Sequence, residues 1–136
     1  MKVLITIPHV FAPTDQSPYS SQKESKRKVK ETAIWNTTVE TLTRHGKTHW
    51  VHASLGKGKS IVTRELTTER GIDLTIQVYT TSEFSLAKDL PKFNNLEIIN
   101  MEIKELQKMP MIASRRALEQ ADQYDLVGYM EDDILI

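Results

Sequence analysis

The 136-residue chain sets 18 Lys and Arg against 18 Asp and Glu, a formal charge of zero, without the basic excess of a dedicated nucleic-acid binder. Apolar residues at 39% and charged residues at 26% suit an ordinary globular chain, and the length suits one domain over residues 1–136. The absence of cysteine excludes a disulfide framework, a thiol nucleophile and a thiolate zinc site.

The first apolar run, Val3-Leu4-Ile5-Thr6-Ile7, is far too short to span a bilayer and is followed by Pro8 and His9 rather than a small-residue cleavage pattern. A cytoplasmic protein with no secretory signal and no transmembrane segment is the expectation. Lys2 to Val10 reads as a buried first strand, and the proline- and serine-containing stretch from Phe11 to Ser20 as a loop. Ser21-Gln22-Lys23-Glu24 fits a capping box that opens a helix running to about Arg44 and stopping at Gly46. Trp35, Val39 and Leu42 supply its predicted core stripe. The basic residues Lys23, Lys26, Arg27, Lys28 and Lys30 read as a solvated helix face whose amino end can also attract a diphosphate.

Farther on, His49 to Ala53 and Ser60 to Thr63 flank Gly56-Lys57-Gly58-Lys59, the pattern of a hairpin closed by a glycine turn. Leu74 to Tyr79 alternates as a strand, and Leu96 to Met101 is another. A helix is predicted from about Pro110 to Asp122, with Ala113, Ala117, Leu118 and Ala121 as its buried stripe. Asp125 to Ile136 then forms a strand ending in acids. Strands alternating with helices predict an α/β sheet with parallel strands, in which ligands bind beyond the carboxyl ends. The Pro8-His9 end of the first strand and Glu131-Asp132-Asp133 at the end of the last are expected on one edge.

Strand alternation predicts Glu131 and Asp133 on one side and Asp132 on the other. Two like charges so placed are relieved by a divalent cation, and oxygen-only donors favour Mg2+ or Mn2+ over zinc. A solvated acidic turn is the competing reading.

The run Ala113-Ser114-Arg115-Arg116-Ala117-Leu118, then Ala121, then the strand from Leu126 and Glu131-x-Asp133 resembles the GT-A glycosyltransferases, especially their family-2 type. In that family an Ala/Ser-Arg-Asn helix start leads through an alanine-rich helix and an apolar strand to an Asp-x-Asp motif. The resemblance runs without a gap from Ala113 to Asp133, and the order of the preceding elements is similar as well.

It implies a Rossmann-like GT-A sheet that binds a nucleotide-diphosphosugar donor. Asp133 and Glu131 would hold the metal, Glu131 standing at the first acidic position near ribose or sugar, and Asp132 between them would join the nucleotide- and sugar-binding residues. Arg115 would help order the nucleotide pocket, and Pro8, His9 and Val10 would lie against base and ribose. Glu131 departs from the usual Asp and Arg116 from the usual Asn; after the strand near Tyr79, Glu83 is the nearby acid. The parent activity implied is metal-dependent sugar transfer to an acceptor hydroxyl, the acceptor itself being unspecified. Because the family places its acceptor site downstream of this motif, the domain is expected to be truncated at its carboxyl end. It would then bind nucleotide with little or no transfer, and an open sheet edge would favour self-association.

Two readings compete. A non-catalytic nucleotide- or partner-binding module would use the same edge. A P-loop NTPase would use Gly58-Lys59-Ser60, since Ala53 to Ser60 resembles a Walker A motif with Ala53 in place of its first glycine. His45, His49 and His52 read as histidines around a helix end and a strand, because Gly46 separates the first from the others. Ser54, Ser60 and Ser114 lack the context of a nucleophile.

Overall fold

The computed structural model describes residues 1–13, 23–40, 49–54, 60–65 and 72–132. In chain order the elements are β1 (Lys2–Pro8), α1 (Arg27–Trp35), β2 (His49–Ser54), β3 (Ser60–Glu65), β4 (Asp73–Thr80), β5 (Leu96–Asn100), α2 (Met109–Glu119) and β6 (Leu126–Tyr129). Four strands form one sheet in the order β5-β4-β1-β6, and all its pairings are parallel. β2 and β3 pair separately as an antiparallel hairpin. The chain is therefore α/β with a parallel sheet flanked by helices, an arrangement compatible with a Rossmann-like fold.

Burial on both faces explains why β1 and β4 are so continuously apolar. On one face, Val3, Ile7, Leu74, Ile76 and Val78 enclose Ile34 of α1 together with Ala87 and Leu90. On the other, Tyr79 packs with Met109 and Ala113 of α2, with Ile99, Met101 and Ile103 at the margin. α2 lies against β1, β4 and β6, and its small Ala113 and Ala117 let it approach closely. Pro110 falls in its first turn, where the missing N–H costs no helical bond.

A polar network fastens the same face. Gln77 Nε2 donates to Glu97 at 2.9 Å and to Gln120 at 3.2 Å, and Gln120 Nε2 returns a bond to Gln77 Oε1 at 3.0 Å. The Tyr79 hydroxyl donates to Gln77 Oε1 at 3.0 Å, and burial pushes its phenol above the ordinary value despite the Gln120 contact.

Several sequence expectations are corrected in detail. β1 stops at Pro8 rather than Val10, and regular pairing in β6 stops at Tyr129. α1 gives way at Asn36–Glu40 to a wider turn, and the rest of the predicted helix lies outside the described residues. Its core face is Lys30, Ile34, Thr37 and Thr38; Trp35 is exposed and Val39 half-buried, while Leu42 is not among the described residues. Buried hydroxyls make this face possible, because Thr37 and Thr38 bond back to the carbonyls of Ala33 and Ile34. The Glu24 carboxylate pairs with Arg27, and the capping-box expectation rests on Ser21, which lies outside the described residues. Leu118 is exposed, and Ala121 sits past the end of α2 in a short turn.

Candidate functional site at the carboxyl edge of the sheet

From β1 the chain moves outward through β4 and β5, then crosses back by α2 to place β6 on the other side of β1. The order reverses between β1 and β6, and in open α/β sheets that reversal opens a crevice beyond the carboxyl ends. His9 follows β1 and Asp132 lies just past β6, so the two strand ends expected on one edge do meet there.

Their contact is direct. His9 Nδ1 and Asp132 Oδ2 are 2.5 Å apart, and Lys30 Nζ donates to Asp132 Oδ1 at 3.3 Å. The Thr37 hydroxyl, already bonded to Ala33, also donates to the Asp132 carbonyl at 3.2 Å. The side chains of His9, Lys30 and Asp132 retain only 0%, 8% and 9% exposure. Burial works to raise the Asp132 carboxyl, yet the hydrogen bond from His9 and the charge of Lys30 outweigh it and hold the group below the ordinary carboxylate value.

The other ring nitrogen settles the histidine tautomer. The Leu86 amide donates to His9 Nε2 at 2.9 Å, so Nε2 is an acceptor without hydrogen. Nδ1 therefore carries the proton and donates it to Asp132. The His9 backbone is fixed as well, its amide donating to Tyr79 O at 2.8 Å. Met130 N donates to Thr6 O at 3.0 Å, extending the β1–β6 pairing toward the acids. Phe11 N donates to Phe84 O at 2.9 Å and binds the loop after β4 to the continuation of β1. Thr80 Oγ1, at the end of β4, is buried with no hydrogen-bond partner among the described residues.

All the sequence-predicted site residues except Asp133 fall among the described residues. Pro8 and His9 are buried at the end of β1, and Val10 is half-buried beside the α2-face core. Asp132 turns inward, whereas Glu131 is exposed and accepts a bond from the Tyr129 hydroxyl at 3.3 Å. Asp133 lies outside the described residues. Arg115 is exposed in the middle of α2, so Ala113–Arg116 is not the start of this helix. Arg116 pairs with Glu119 at 2.8 Å, and Glu83 is exposed in the loop after β4.

Lys30 is the residue that sequence reasoning misplaced: it is buried rather than part of a solvated face. Its spacing to Ile34, Thr37 and Thr38 is the signal that could have found it. In the hairpin, Ser60 opens strand β3 where a P-loop requires a helix, and Lys59 lies outside the described residues. His49 and His52 belong to strand β2, while His45 is not among the described residues.

Among the described residues, no three His, Asp or Glu side chains group so as to hold a metal ion. No helix among them is long and apolar enough to cross a membrane. Comparison with known protein families, curated proteins and solved structures finds no match.

Proposed function

We propose that the chain is a GT-A-like domain that binds a nucleotide-diphosphosugar at the carboxyl edge between β1 and β6, its parent activity being sugar transfer to an acceptor hydroxyl. The observation that carries the reading is the reversal of strand order at this edge, with the acidic segment Glu131-Asp132 meeting the Pro8-His9 end of β1. A crevice so placed takes a phosphate-bearing ligand readily.

The donor chemistry fits a hard cation. Glu131 offers an exposed carboxylate, and Asp133 follows Asp132 in sequence; such oxygen donors suit Mg2+ or Mn2+ completed by phosphate oxygens. Both oxygens of Asp132 are already engaged, so in this reading the cation falls to Glu131 and Asp133. When bound, the cation supplies charge neutralisation for the departing nucleoside diphosphate. The protein's own part is to hold the acids at the strand end and keep water away from the buried cluster beneath them.

A non-catalytic nucleotide-binding module is the second reading, favoured by the inward turn of Asp132, which leaves that carboxylate unavailable as a base. Calorimetric titration with UDP, GDP and ATP, with manganese and with a chelator, tests the proposal. Metal-dependent binding of UDP or GDP that is lost in Asp133→Ala is expected; binding of none of them removes the reading. Sugar transfer from a bound donor separates the enzyme from the module.

A further inference from the structure

The buried histidine joins three segments far apart in sequence. Its ring accepts from the loop after β4 through Leu86, donates to the turn after β6 through Asp132, and rides on the end of β1. All three segments lie at the carboxyl edge of the sheet. A neutral imidazole has one donor and one acceptor, and here each is spent on a different segment. The Leu86 bond admits only the tautomer protonated on Nδ1, which is also the tautomer that Asp132 requires. Lys30 and Thr37 hold the same turn from α1. Asp132 therefore has its carboxylate and its carbonyl committed to the protein.

We propose that His9 is a positioning residue that couples the loop after β4 to the acidic turn after β6, with Asp132 as its anchor, so that the two segments are set by one side chain. Neither residue touches the ligand. Their work is to fix where the turn at Glu131-Asp132 stands relative to the Thr81–Leu90 loop. The part of this inference that concerns a ligand rests on the nucleotide-binding reading above; the coupling itself does not.

Nuclear magnetic resonance on the full chain tests it without reference to activity. The ring nitrogens of His9 in the wild type are expected to show Nδ1 protonated and Nε2 bare; a ring protonated on Nε2 overturns the proposal. Amide exchange at Leu86 is then compared with that at Ile76, whose amide is bonded to Asn95 in the sheet. In His9→Asn, the shorter amide can still donate toward Asp132 but does not reach Leu86. Exchange at Leu86 should accelerate about tenfold while Ile76 is unchanged.

The decisive variant is Asp132→Asn, which is nearly isosteric and does not touch Leu86. Coupling predicts that Leu86 exchange still accelerates relative to Ile76, by about threefold or more. Equal change at the two amides, or none at Leu86, overturns the proposal. Titration of the same variants with UDP or GDP and manganese adds the functional arm, with an expected loss in affinity of about tenfold for His9→Asn. Coupled exchange in a chain that binds no nucleotide upholds the positioning role and removes the proposed function. Uncoupled exchange in a chain that binds nucleotide normally does the reverse.

Discussion

Two polar networks are enclosed by this small sheet, one on each side of the chemical divide between amide and charge. On the α2 face, Gln77, Gln120, Tyr79 and Glu97 satisfy one another at 2.9–3.2 Å. At the carboxyl edge, His9, Lys30 and Asp132 place a cation and an anion out of reach of water. The amide network clamps a helix to a sheet through neutral groups that pair with one another, its one carboxylate, Glu97, remaining exposed to water. The ionic one gains little stability over apolar packing, because the desolvation of its two charges offsets much of their attraction. The amide-centred network thus stands where a helix meets the sheet, and the ionic one where strand order reverses.

The sharpest way to break that contrast is to remove the anion. Asp132→Ala removes the acceptor of His9 Nδ1–H and one partner of the Lys30 ammonium, and it should cost about 3–5 kcal/mol in urea denaturation. A loss comparable to that at an amide position would mean that water reaches the cluster. The charge should also be visible in the pH dependence of stability. Asp132 titrates below its ordinary 3.8 in the folded chain, so its contribution is fully present above that value and is lost as pH falls through the folded one. Denaturation from pH 5 downward should therefore show a steeper loss in the wild type than in Asp132→Asn.

The neutral network should respond less. In Gln120→Leu, Gln77 keeps Glu97 and Tyr79 as partners, and the expected loss is about 1 kcal/mol by the same measurement. Lys108→Ala provides the baseline outside both networks. Its bond to Glu105 is half exposed at each end, so removal should change stability by no more than about 0.5 kcal/mol. The order Asp132, Gln120, Lys108 is the signature of the comparison.

Much of the framework was legible because periodicity reports burial directly. The alternation in β4, the apolar run of β1 and the Ala113/Ala117 spacing in α2 each encode which face meets the core. The meeting of Pro8-His9 with the last strand's acids followed from parallel topology alone. What escaped was set by partners distant in sequence. Alternation sets Glu131 and Asp132 on opposite sides, and Glu131 is exposed while Asp132 is buried, but the partners of the inward carboxylate, His9 and Lys30, lie far away in sequence; Asp133 lies outside the described residues. On α1, hydrophobicity favours Trp35 and Val39, but the face that packs uses Ile34 with Lys30, Thr37 and Thr38. Their helical spacing is legible, whereas the Asp132 partner of the buried Lys30 lies 102 positions away and leaves no local signature.

The separation of His9 from Asp132 by 123 positions bears on the order of folding. Contacts between such distant residues pay the largest loop-closure cost and usually form late. In a partly folded chain with β1, β4 and α1 docked but β6 still free, His9 and Lys30 would lack their shared contact to Asp132. Closure by the last strand brings that carboxylate against both groups and completes the edge in one event. The edge that we assign to ligand binding is thus also the seam along which the fold is sealed, and competence to bind should appear only with the slowest refolding step.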